Sequence, residues 1–202
     1  MQNQDHAPVP LAEKIKSVAG LFGIRTNDEP EYMLKESEGN NEVREYFPHV
    51  LARIPLHGHD SKSVEHAFAE LSDYIFGKNS LKKQMAMVLP VIQEKRGSQD
   101  YLCFILPPAF TAVSAPQPDN QNIEFETRSG EVVAAIEYSG VNTPEKIEEK
   151  KYELLKWLSE ETAYEPCSEI RTAQYDPPMT IPFMRKNEII ITVKKINFSN
   201  NN

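Results

Sequence analysis

Apolar positions along the chain follow two spacings. Between Ser61 and Gly77, the residues Val64, Ala67, Phe68, Leu71 and Ile75 recur every three or four positions, which places them on one face of a helix. Asp60 or Ser61 is placed to cap that helix, and Gly77 stands where a left-handed residue would end it. A second stripe, Ile147, Leu154, Leu155 and Leu158, follows Thr143 as N-cap, Pro144 at the first helical position and Glu145 against the helix dipole. Lys151 interrupts this stripe and is expected to run its stem along the edge. The runs EVVAAIEY and NEIIITVK are short, apolar and β-branched, so they read as strands packed by helices. Leu11, Ile15, Val18, Leu21 and Phe22 form a further helical stripe near the N-terminus, expected to dock on the body of the protein.

The pattern also repeats. Val50, Ala52, Ile54 and Gly58 match Val132, Ala134, Ile136 and Gly140 at an offset of 82. Leu71, Tyr74 and Ile75 meet Leu154, Trp157 and Leu158 at an offset of 83, and Tyr101–Leu106 parallels Glu188–Val193. Each half reads as strand, Gly-containing turn, helix and two strands, joined by the Pro- and Asn-rich connector TAVSAPQPDNQN. The expected class is α+β, with one antiparallel sheet closing toward a barrel and two helices related by a pseudo-twofold axis. The expected organisation is a tail and amphipathic helix over 1–28, one domain over 29–196 and a polar tail over 197–202. The halves of that domain run over about 29–115 and 120–196.

Composition narrows the function. With 202 residues, folded-surface scaling lets the chain bury about 70% of its surface, enough for one sizeable core. Thirty acidic against 22 basic side chains give a net charge of −8, the wrong sign for a nucleic-acid partner. No apolar stretch approaches the roughly 20 residues that cross a bilayer, and MQNQDHAPVP lacks the features of a secretory leader, so a cytoplasmic monomer is expected. There is no phosphate loop, no G-x-S-x-G and no H-E-x-x-H. Cys103 sits in the apolar run YLCFIL and reads as an inert buried thiol; Cys167 reads as a loop residue with no partner base. Glu124 and Glu126 share one strand face, read as solvated, and His57-Gly58-His59-Asp60 reads as a polar turn.

Four stretches in order resemble the SOUL/haem-binding protein family (SOUL domain), from about residue 29 to 195. They are EPEYMLKESEGNNEVREYFPHVLARI, with an Arg44-Glu45-Tyr46 turn; FAELSDYIFGKN, ending at Gly77-Lys78-Asn79; the strand KKQMAMVLPV; and YDPPMTIPFMRKNEIIITV. The last carries Tyr175, Pro177, Pro178, Arg185, Asn187 and Glu188. The resemblance implies a distorted antiparallel β-barrel flanked by two long helices. It also implies a small hydrophobic ligand, haem or another tetrapyrrole, in an apolar cleft beside the first helix. Phe68, Leu71 and Ile75 are expected to face Met85, Met87, Phe183 and Met184 there. Aligning through Tyr74 puts Glu65 and Asp73 where family members carry propionate-binding cations, leaving Arg53, Lys78, Arg185 and Lys186 as substitutes. Glu45 stands where some members have a His; of His6, His49, His57, His59 and His66, the last is the expected candidate at the cleft rim. Two other readings stay open: a small-molecule effector-binding module of the multidrug-regulator type without haem function, and an enzyme acting on tetrapyrroles.

Overall fold

A computed structural model describes residues 29–58, 60–176 and 180–196; the N-terminal stripe, the C-terminal tail, His6, His59, Pro177 and Pro178 lie outside them. The chain runs β1 (Tyr32–Glu38), β2 (Asn41–Tyr46), β3 (His49–Pro55), α1 (Ser61–Ile75), β4 (Val88–Arg96), β5 (Gln99–Ile105), β6 (Glu124–Arg128) and β7 (Glu131–Tyr138). It continues through α2 (Pro144–Glu161), β8 (Tyr164–Pro166), β9 (Arg171–Gln174), a single 3₁₀ turn (Pro182–Met184) and β10 (Asn187–Lys195).

The strands form one antiparallel sheet, ordered β1-β2-β7-β10-β9-β4-β5-β3-β6, with β8 beside β10. Counted outward from the central β9–β4 pair, β10 stands opposite β5, β7 opposite β3 and β2 opposite β6. Among the described residues the sheet curls into a distorted half-barrel carrying two helices, the α+β architecture expected from the sequence. Its outer strands cross over: β2 pairs with β7, and β6 pairs with β3.

Side-chain alternation along each strand sorts residues between two faces. Val50, Ala52, Ile54, Leu102 and Phe104 pack under α1, against Ala67, Leu71, Tyr74 and Ile75. Ala134, Ile136, Ile189, Ile191 and Val193 pack under α2, against Leu154, Trp157 and Leu158. Inside the curl, Leu51, Val88, Ile92, Cys103 and Ile105 form one cluster. Tyr46, Leu89, Val133, Ala135, Ala173 and Ile190 form another. Both helices have the expected caps: Asp60 accepts from Ser63 N at 2.9 Å, and Thr143 accepts from Lys146 N at 3.2 Å.

Three local expectations change. Arg44-Glu45-Tyr46 is the end of strand β2 rather than a turn. The segment KKQMAMVLPV becomes strand only at Val88. The reason is Asn79, whose amide oxygen accepts from Leu81 N and Lys83 N while its nitrogen donates to Tyr74 O and Lys83 O, holding this stretch as a loop. The connector is fixed to the protein rather than loose: Tyr74 donates its hydroxyl to Pro116 O, and Ser80 N donates to Gln117 O. Ala115 and Ile123 are buried under α1, with Phe110 and Ala112 packed beside them. The connector therefore fills much of the helix–sheet gap beside α1.

Candidate functional site

Beside α1, where the sequence expects a cleft, Leu71 and Ile75 are core residues, and Phe68 lies edge-on to Phe104 with ring centroids 5.2 Å apart. Met85 is buried in the same cluster and Met87 packs against it. Phe183 and Met184 are not brought to this group. They are 75% and 61% exposed, on a loop whose far end, Asn187, pairs with Tyr138 and donates to Gly140 O at the start of the α2 half. A hollow along the N-terminal part of α1 measures about 210 Å³ and is lined by His57, Asp60, Lys62, Ser63, His66 and Glu70 together with Pro55 and Ala67. The His66 side chain is 72% exposed, with Nε2 3.7 Å from Glu70. Glu65 is exposed, and Asp73 pairs with Lys78 at 2.9 Å.

The substitute cations are also engaged. Arg53 pairs with Glu124 at 3.0 Å and with Glu126, and lies over the Tyr101 ring. Arg185 donates through Nε to Thr180 O. Lys186 sits 4.3 Å above the Tyr175 ring and 3.5 Å from Glu137. Glu45 pairs with Lys35 at 2.5 Å. Among the described residues, no group of three or more His, Cys, Asp or Glu is placed to hold a metal ion.

Among the described residues, an apolar opening lies at the β2–β3 link. A crevice of about 380 Å³ is walled by Phe47, Pro48, Val50, Val88, Ile105 and Phe110, with His49 within it and Glu29 and Glu31 along its lining. Strand β3 alternates Val50 toward α1 and His49 toward the inside of the curl, so the imidazole reaches the crevice from the sheet. His49 Nδ1 is 2.9 Å from the Phe47 carbonyl, an acceptor, so Nδ1 carries the proton and Nε2 presents its lone pair. The ring meets Tyr46 edge-on at 5.9 Å. Burial lowers the His49 pKa below the usual histidine value, against the raising effect of its bond to Phe47, and so favours the neutral imidazole. Lys83 places its ammonium 5.0 Å over the Phe110 ring, the cation next to this wall. The sequence signal for this site was weak: one histidine after Phe47-Pro48, with walls drawn from segments about 60 residues apart.

Two charged assemblies line the inside of the curl. Glu188 is 0% exposed and accepts both Arg44 Nη1 and Nη2 at 3.0 and 2.9 Å and the Tyr175 hydroxyl at 2.9 Å. Burial opposes the charge on Arg44, but Glu188 more than offsets it, so the guanidinium stays protonated. Burial and then the Glu188 charge push Tyr175 well above the ordinary tyrosine value. The second assembly joins Glu94 and Arg128 at 2.7 Å, Arg128 and Glu126 at 2.7 Å, and Glu131 and Arg171 at 2.6 Å. Burial acts to raise the Glu131 carboxyl, but Arg171 and Arg128 hold it below the usual carboxylate range. Of the two carboxylates read from sequence as solvated, Glu126 pairs with Arg128, Arg96 and Arg53, while Glu124 is exposed and pairs with Arg53. Burial pushes the Cys103 thiol up, consistent with an inert core residue, whereas Cys167 is exposed.

Solved structures share this fold at low identity. The EcmrR C-terminal domain is 12% identical, with a TM-score of 0.56 over 82% of this chain and 99% of that one. A hydrolase from Listeria innocua is 11% identical, with a TM-score of 0.53 over 89% of this chain and 98% of that one. No curated protein matches the chain. The family model described as SOUL heme-binding protein matches residues 27–192, most of the chain. The chain belongs to the SOUL heme-binding protein family.

Proposed function

We propose that the chain binds haem or a related tetrapyrrole in the crevice at His49, acting as a binding or carrying protein. The domain that does so is taken as residues 29–196, with the two halves sharing one sheet. The carrying observation is an imidazole favoured in its neutral form, its Nδ1–H donated to Phe47 O and its Nε2 without a hydrogen-bond partner among the described residues, in the lining of an apolar crevice. That is the arrangement in which a histidine ligates a metal, because the bonded ring nitrogen fixes both tautomer and orientation. The residues present fit the group. The volume, about 380 Å³, lies at the small end of the roughly 300–1,000 Å³ of ligand pockets, so a macrocycle would be held along one edge. Bound haem would supply the iron centre; the protein's part is to provide one nitrogen, exclude water with Phe47, Val88 and Ile105, and orient the ring plane.

Titrating the purified chain with haemin and following the Soret band tests this. Saturable one-to-one binding is expected. His49→Ala should shift the band and weaken binding by about tenfold or more, whereas His66→Ala should leave both unchanged. Equal behaviour of the two variants rejects ligation by His49. A second reading, a small-molecule effector-binding module, is favoured by Glu29 and Glu31 at the crevice, which suit a cationic rather than an anionic amphiphile. A thermal-shift series separates them, since a ligand binding only the folded chain raises its melting temperature. Stabilisation by lipophilic cations and not by haemin would favour this second reading.

A further inference from the structure

A second hollow has a different chemistry. It measures about 480 Å³ and is lined by Lys95, Arg96, Arg128 and Arg171 against Glu94, Glu131 and Glu169, with the Ser168 and Thr192 hydroxyls. Glu126 pairs with Arg96 and Arg128 from beside the lining, so four cations stand among four carboxylates, in a chain whose net charge is −8. Its two central arginines are built in rather than draped over the surface: the side chains of Arg171 and Arg128 are 8% and 9% exposed.

Their hydrogen bonding is incomplete. Arg171 spends Nη1 on Glu131 at 2.6 Å and Nη2 on Thr192 at 3.2 Å, but its Nε–H is buried with no acceptor. Arg128 gives Nη2 to Glu94 at 2.7 Å. Its Nε lies 2.7 Å from a Glu126 oxygen without hydrogen-bond geometry, and Nη1 stands 3.8 Å from Glu131. A buried N–H without an acceptor is unfavourable, and guanidinium donors in a fixed fork suit a planar carboxylate. Lys95, at the rim, makes no ion pair among the described residues.

One strand pair contributes to both hollows. His49 of β3 stands opposite Arg128 of β6 in register, and the preceding residue, Thr127, lines the crevice. We infer that the Arg128–Arg171 hollow receives the carboxylates of an amphipathic ligand whose apolar body lies in the His49 crevice. The ligand class is a flat apolar molecule with acidic side arms, and the anchoring cations sit on the sheet rather than on α1. This inference rests on the crevice being the ligand site, as proposed above.

The test compares haemin, which carries two carboxylates, with its dimethyl ester, which carries none. Wild-type protein should bind the ester about tenfold more weakly than haemin. Arg171→Gln should lower haemin affinity by about tenfold and leave ester affinity unchanged. Should that variant fail to fold by circular dichroism, the rim double variant Lys95→Gln/Arg96→Gln serves instead, with a smaller loss confined to haemin. Equal affinity of haemin and ester for the wild type overturns the inference while leaving crevice binding intact, as does a variant that weakens both alike. If haemin does not bind, the crevice reading fails and the hollow is read alone: inorganic phosphate should shift the Arg171 Nε–H resonance saturably in NMR spectra. No shift overturns the anion site as well.

Discussion

His49 and His66 carry the same side chain in opposite settings. His66 stands 72% exposed on a helix, whereas His49 is held by Phe47 O inside an apolar wall. Because the folded state lowers the His49 pKa, its imidazole is more than half neutral at the usual histidine value of about 6.5 and increasingly so above it. Haemin affinity should therefore rise by no more than about twofold between about pH 6.5 and 8, as measured by Soret titration across buffers. A decline with a midpoint near 7 would contradict a neutral ligating ring. The sign for stability follows from the same shift. Below about pH 6.5 the unfolded chain takes up the proton first, so His49 costs stability as pH falls from there through its folded value. Arg44 and Glu188 make the other residue-scale case. Arg44→Met would leave a fully buried carboxylate with only Lys186, 3.9 Å away, as its cation, an expected loss of about 3 kcal/mol in urea unfolding. A loss below about 1 kcal/mol would show that Tyr175 and Lys186 satisfy Glu188 without Arg44.

At the scale of elements, the helices were legible because each carries its instructions locally. Asp60 caps α1 through Ser63 N, so Asp60→Ala should cost about 1 kcal/mol by the same unfolding measurement, with the sheet unaffected. The strands were legible where helices cover them, as with Val132–Ile136 and Ile189–Val193, since burial on both faces writes a continuous apolar run. Strand β6 was not. Glu124 and Glu126 alternate with Phe125 as on a solvated edge, and only the fold brings Arg53, Arg96 and Arg128 to them. The loop over Lys82–Met87 was misread as strand because Met85 and Met87 are apolar at alternate positions, while the control came from one amide, Asn79. The packing beside α1 was also illegible. Ala115 falls in a Pro- and Asn-rich connector and Ile123 just after it, yet both are buried in the cluster under the helix.

Over the whole molecule, what sequence could not express is the meeting of distant segments inside the curl. His49, Arg128 and Arg171 lie tens of residues apart and come together only because β3 pairs with β6 while β9 pairs with β4. The helix-side faces are apolar and read plainly. The inner face mixes Leu51, Ile92 and Ile190 with Arg44, Glu94, Glu131 and Glu188, a composition that resembles an exposed surface until its partners are known. The crossing of β2 onto β7 and of β6 onto β3 has one more result. Each half lends an outer strand to the other, so neither can complete its own sheet. Cutting the backbone once in the connector, between Gln117 and Asn122, should give two pieces that are each largely unfolded when separated. Mixed, they should regain the native circular dichroism spectrum through a bimolecular reaction whose melting temperature rises with their concentration. The link between the halves would then act as a supplier of effective concentration, and the native protein as an obligate heterodimer joined end to end.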